Sequence, residues 1–139
     1  LARAALKARL ENEMPKRAPT TSPTEAQLLD GADVYVKGCA VCHGRPGGEK
    51  SSIAAGMYPP VPQLFVHGVD DDPAGETYWK VKNGIRLTGM PGYDKTLSDT
   101  QLWDVTYLLA TKLDALPASV KSALRLPPPP PRPAATPPL

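Results

Sequence analysis

An all-α fold of three to four helices is what this sequence predicts, and three observations carry the prediction. Two stretches open with a capping box, Ser22 followed by Glu25 and Ser98 followed by Gln101, each ahead of a run of helix-forming residues. The two cysteines of the 139-residue chain both fall in one pentapeptide, Cys39-Ala40-Val41-Cys42-His43. The stretch from about residue 22 to residue 116 is near the size at which burial of side chains alone gives marginal stability, so it needs an interior from elsewhere.

The pentapeptide supplies that interior, because C-x-x-C-H is the signature of covalent c-type haem attachment. On a helix of 3.6 residues per turn, Cys39 and Cys42 stand one above the other and face the two vinyl groups along one porphyrin edge. His43 follows directly, and its ring can swing under the macrocycle to offer the iron a neutral nitrogen. Three other uses of the cysteines fit less well. A disulfide between them closes too small a loop to constrain the unfolded chain. A zinc site needs four ligands, and the other histidine, His67, is the one further candidate. A thioredoxin-type pair should follow a strand, whereas the segment before Cys39 reads as helix.

The elements follow in order. Residues 1–14 are rich in helix formers, with Leu6, Leu10 and Met14 at i, i+4 spacing, and Pro15 stops them. Residues 15–21 read as linker. Ser22 as N-cap and Pro23 at the first helical position open a helix running to about Lys37. From Gly44 to Asp72 the chain is rich in Gly and Pro, with a helical turn expected over 51–56; a loop of that length needs a reason, and a haem edge is one. Asp72, Pro73 and Glu76 start a helix that ends at Gly84. A loop follows, then Ser98 caps a last helix whose face is Leu102, Val105, Leu109 and Leu113. After Pro117 a short turn leads into the proline-rich end, where Pro127 to Pro131 favour an extended polyproline II rod. The expected organisation is an N-terminal helix and linker over 1–21, a haem domain over 22–116 and a proline-rich extension over 117–139.

The net charge of +2 conceals an asymmetry. Residues 1–17 carry five basic and two acidic side chains, residues 117–139 carry three basic and none acidic, and the body between is therefore −4. Basic ends on an acidic body point to contact with an anionic partner or lipid headgroups, or to solvated ends that keep the chain in solution. A nucleic-acid partner is not expected. No apolar run approaches the length of a membrane span, and the start at Leu1 suggests that a signal peptide or anchor lies upstream or has been removed.

A haem iron held by histidine keeps an open sixth position or takes a methionine, and the choice separates ligand-binding chemistry from electron transfer. Of three methionines, Met14 reads as a packing residue. Met57 follows His43 by 14 residues and Met90 by 47. To reach the opposite face of the ring the chain must pass around its edge, which favours Met90. Its flanking Gly89 and Gly92 let backbone approach closely, and Pro91 stiffens the loop. Met57, His67 or an open site are the alternatives.

With these residues in hand, the sequence resembles the class I monohaem cytochromes c of bacterial respiratory chains, in the small bacterial branch related to oxidase and dehydrogenase cytochrome c subunits. The resemblance covers residues 22–114. It rests on Gly31 through Cys39 as the N-terminal helix, on the C-x-x-C-H run, on Pro62-Gln63-Leu64 as the proline loop, and on Gly84-Ile85-Arg86 through Gly89-Met90-Pro91 as the methionine loop. It implies a cytochrome c fold around one covalent haem c, with extended terminal arms. It also implies that Tyr35 and Tyr107 meet where the first and last helices cross. The Pro62 carbonyl would orient His43, Leu64 and Trp79 would line the pocket, and Arg86 would pair with a propionate. The long insertion from Gly44 to Pro60 and the two basic extensions depart from the pattern.

The function so implied is a single-haem electron carrier rather than an enzyme, with His43 and Met90 on the iron. It would work in the periplasm, where bacterial haem c is attached, with membrane association through the basic termini as a further expectation. A dehydrogenase or quinol-oxidising donor and an oxidase or reductase acceptor would be its partners. Two rivals stand beside it: a fixed cytochrome subunit of a larger membrane redox complex, and a haem enzyme or gas sensor with an open sixth site.

Overall fold

The computed structural model describes residues 2–125, and the polyproline run Pro127–Pro131 and Arg132 lie outside the described residues. Among those described there are seven α-helices and no strand: α1 (Ala2–Glu13), α2 (Glu25–Gly38), α3 (Ala40–His43), α4 (Ser52–Ala55), α5 (Ala74–Asn83), α6 (Asp99–Ala110) and α7 (Ala118–Leu124). Four of them exceed two turns, and the core is centred on the packing of α2, α5 and α6.

The crossing of α2 and α6 organises the interior. Leu28, Ala32, Val34 and Tyr35 of α2 and Leu102, Val105 and Leu108 of α6 are buried at helical spacing. Gly31 is what lets the two backbones approach: a Cβ there would lie 2.2 Å from the Asp104 carbonyl oxygen. Tyr35 finds its aromatic partner in Phe65, edge to face at 5.3 Å, while Tyr107 stacks on Trp103 at 6.0 Å, which stacks in turn on Tyr78 of α5 at 4.1 Å. The expected Tyr35–Tyr107 meeting is thus replaced by a three-ring stack joining α5 to α6.

Helix ends follow local chemistry. Ser98 and Gln101 form the expected reciprocal cap of α6, Ser51 caps the single turn α4, and Gly84 ends α5 with φ +71°. The start of α2 differs: Thr24, not Ser22, is the N-cap, exchanging hydrogen bonds with Gln27. The sequence offers both frames two residues apart. In the adopted frame Glu25 becomes the first helical residue, and its carboxylate accepts from Ser119 of α7 at 2.5 Å.

Both ends of the described chain pack on the body. Helix α7 lies against α2 and buries Val120 and Leu124 completely. The stretch read as an extension from residue 117 therefore begins with core. Helix α1 lies against α5 through buried Leu10, and the chain leaving it crosses Gly75, where a Cβ would meet the Pro15 carbonyl oxygen.

Candidate functional site

The cysteine peptide forms its own turn. Helix α2 ends at Gly38, Cys39 adopts a non-helical backbone, and α3 restarts at Ala40, with the amide of His43 bonded to the Cys39 carbonyl at 2.9 Å. This break re-aims the peptide, so that Cys39, Cys42 and His43 all border one open cavity. Both thiols are free and half-buried. Burial, then the neighbouring Cys42, pushes the Cys39 thiol up to about 11, so the neutral thiol is the resident form.

His43 is oriented from behind. Its Nδ1 lies 2.8 Å from the Pro62 carbonyl oxygen. A carbonyl only accepts, so the ring proton sits on Nδ1 and the Nε2 lone pair is left free for a metal. The proline loop is itself pinned to the cysteine peptide: the Leu64 amide donates to the His43 carbonyl at 3.2 Å, and the Gln63 side chain donates to the Cys42 carbonyl at 2.9 Å. Tyr35 closes the back of the turn by donating to the Gly44 carbonyl at 2.6 Å, and burial raises its hydroxyl far above the usual phenol range.

Across the cavity stands the methionine loop. Its backbone crosses the end of α5 at two glycines: a Cβ on Gly84 would lie 2.7 Å from the Met90 carbonyl oxygen, and one on Gly92 would lie 2.7 Å from the Asn83 carbonyl carbon. The flanking glycines therefore serve the approach of the loop to α5 and, at Gly89, to the Met57 side chain. Tyr93 completes the wall, its amide bonded to the Val81 carbonyl and its hydroxyl donating to the Gly38 carbonyl at 2.6 Å.

The cavity opens to solvent at its mouth, and together with that opening it spans about 720 Å³. Its walls are almost wholly apolar: Pro59, Pro60, Val61 and Pro62 on one side, Val81, Ile85, Met90 and Pro91 on the other. Two thiols on one edge, an imidazole with a free nitrogen and a thioether in such walls form a donor set and a shape that suit a flat, apolar, iron-bearing macrocycle.

Of the residues expected at the site, the structure brings Cys39, Cys42, His43, Pro62 and Met90 together around this cavity. Three others fall elsewhere. Trp79 is corrected: it is buried under α1, where its Nε1 donates to Glu13 at 3.0 Å and the Arg9 guanidinium lies 5.1 Å from its ring centroid. Leu64 borders a second cavity with Phe65, Leu108 and Leu109. Arg86 is exposed and is not among the lining residues. Sequence reasoning missed Tyr93 and Ile85, each within five residues of Met90; position near a presumed ligand was the available signal. Met57, an alternative ligand by sequence, also lines the cavity.

Comparison with known proteins gives the same picture. Residues 26–109 match the family described as cytochrome c oxidase, cbb3-type, subunit III. The chain is 32% identical over 108 residues to the cytochrome c subunits of quinone alcohol dehydrogenases from Gluconacetobacter polyoxogenes and Komagataeibacter europaeus, a match covering 66% of this chain and 22% of each relative. The chain thus spans about a fifth of the length of these curated relatives. Among solved structures it resembles a chain of the Kuenenia stuttgartiensis reducing HAO-like protein complex, with a TM-score of 0.54 and 25% identity over 73% of this chain and 52% of that one.

Proposed function

Because the chain belongs to the cytochrome c oxidase, cbb3-type, subunit III family of class I c-type cytochromes, we propose that it is a periplasmic one-electron carrier whose covalent haem c is ligated by His43 and Met90. The observation that carries this reading is the common cavity, with both thiols, the His43 ring and the Met90 side chain on its walls.

Bound haem c supplies an Fe(III)/Fe(II) couple. The chain's own residues set how that couple behaves. Cys39 and Cys42 would tether the macrocycle as thioethers. The Pro62 carbonyl fixes the tautomer of His43 and raises its basicity. Met90 favours the ferrous state and raises the potential. It is preferred over Met57 because it packs against the hydrophobic core and its loop is braced on α5. The proline and aliphatic walls keep water from the iron, so the change of charge meets little solvent reorganisation.

A second reading, a fixed subunit of a larger redox complex, is favoured by the names of the relatives, which are dehydrogenase cytochrome subunits. In either case the donor is a dehydrogenase or quinol-oxidising protein and the acceptor an oxidase or reductase. No helix among the described residues is long and apolar enough to cross a membrane.

Potentiometric titration with exposure of the reduced protein to carbon monoxide tests the proposal. A single one-electron wave and no carbon monoxide adduct are expected. Stoichiometric, rapid carbon monoxide binding would instead indicate an open sixth site and a sensor or enzyme.

A further inference from the structure

Met57 lines the cavity from the loop after the cysteine peptide, yet its side chain reaches the opposite loop. Its amide donates to the Ala54 carbonyl at 3.2 Å, which fixes it to the turn α4. That turn is tied to the cysteine peptide by the Ser51 hydroxyl, which donates to the Val41 carbonyl at 2.6 Å. The far end of the side chain lies on Gly89, the residue before Met90: a Cβ built on Gly89 would stand 2.2 Å from the Met57 methyl carbon and 3.8 Å from its sulfur. Only glycine at 89 leaves room for this contact.

The segment from Arg86 to Gly89 is otherwise exposed. Leu87 within it has φ +64° and is 81% exposed. Its bonds are internal, with the Thr88 hydroxyl donating to the Ile85 carbonyl at 2.6 Å and accepting from the Met90 amide at 3.2 Å. Displacing Met90 from a metal requires this segment to move, and movement of Gly89 away from the cavity breaks the Met57 contact.

We propose that Met57 is a positioning residue that clasps the methionine loop to the cysteine-peptide side of the cavity and so slows the release of Met90 from the iron. The inference rests on the His43/Met90 reading and deepens it. The role is packing and not ligation, because what the structure displays is contact between the Met57 methyl and a glycine. An unbranched, flexible side chain suits such a gap, and leucine, of similar volume, should replace it with little loss.

The test uses the ferric holoprotein and two readouts: the near-infrared charge-transfer band that reports iron–sulfur ligation, and the rate of cyanide binding. Met57→Ala is expected to keep the band and to bind cyanide about tenfold faster, equivalent to ~1.4 kcal/mol. Met57→Leu should bind at the wild-type rate, and Gly89→Ala, whose methyl takes the space that the Met57 methyl holds, should fall between the wild type and Met57→Ala. Leu124→Ala, which opens a gap in the core at α7, should lower the melting temperature without changing the rate. A cyanide rate unchanged in Met57→Ala would overturn the proposal, as would a Met57→Leu protein as fast as Met57→Ala. Loss of the band in Met57→Leu would make Met57 the ligand. Persistence of the band in Met90→Leu with Met57 intact would instead refute the underlying ligand assignment.

Discussion

The α2–α6 crossing and the cavity beside it are made of opposite materials. At the crossing, regular helices bury Ala32, Tyr35, Val105 and Leu108 at 1% exposure or less, and one glycine lets two backbones touch. Around the cavity the walls are loops rich in proline and glycine, apolar but open. The first region is complete in itself. The second exposes apolar surface that has no protein partner, and it becomes an interior only when something flat and apolar fills it. The stability of this small domain therefore depends on the filled cavity as well as on the crossing.

The largest break in this comparison should come from removing the tethers. Cys39→Ser with Cys42→Ser is expected to reduce haem-containing protein to background and to leave an apoprotein that melts without a cooperative transition, followed by circular dichroism. An apoprotein with wild-type melting would mean that the crossing alone holds the fold. Next in size is Gly31→Val, which forces a side chain against the Asp104 carbonyl and should cost ~2–4 kcal/mol in urea unfolding. The surviving holoprotein should keep its spectrum, because the damage lies at the crossing. A shifted potential would show that the two regions are coupled.

A smaller effect arises from charge within the crossing. Asp104, buried on α6, has its carboxyl pushed up to about 7, first by desolvation and then by its hydrogen bond with Asp30 of α2 and the charge of that group. A carboxyl raised on folding binds its proton more tightly in the native state. Its contribution is fully present below about pH 4, declines as pH rises and is lost above about 7. Urea unfolding of the wild type against Asp104→Asn should show this slope in the wild type and its loss in the variant. The opposite slope would place a cation near Asp104.

The smallest effect is expected at the outer layer. Deleting residues 1–14 uncovers Trp79 and removes buried Leu10, for a cost of ~1–3 kcal/mol by area, with haem spectrum and potential unchanged. A changed spectrum would return Trp79 to the pocket.

How much of this was legible in the sequence depends on how local the cause is. The cysteine peptide, the Ser98 box, the Gly84 helix end and the methionine loop are each written in a few adjacent residues, and the structure forms all four. The start of α2 was ambiguous because Ser22 and Thr24 both open a capping box, and the adopted frame is the one that gives Glu25 its contact with Ser119, 94 residues away. Trp79 was misplaced for the same kind of reason: its partners Arg9 and Glu13 belong to a helix whose docking site no local pattern reveals. Helix α7 is too short for periodicity to identify, although Val120 and Leu124 stand at i, i+4. Met57 looked like a rival ligand, and only the contact with Gly89 separates a clasp from a coordinating group.

The central claim is that the cavity holds an iron between His43 and Met90, and the ferric near-infrared spectrum of wild-type protein beside Met90→Leu tests it most directly. The account predicts a sulfur-to-iron charge-transfer band in the wild type, its disappearance in Met90→Leu and a fall in potential of that variant. A wild type without the band, or a Met90→Leu protein that retains it, would contradict the account.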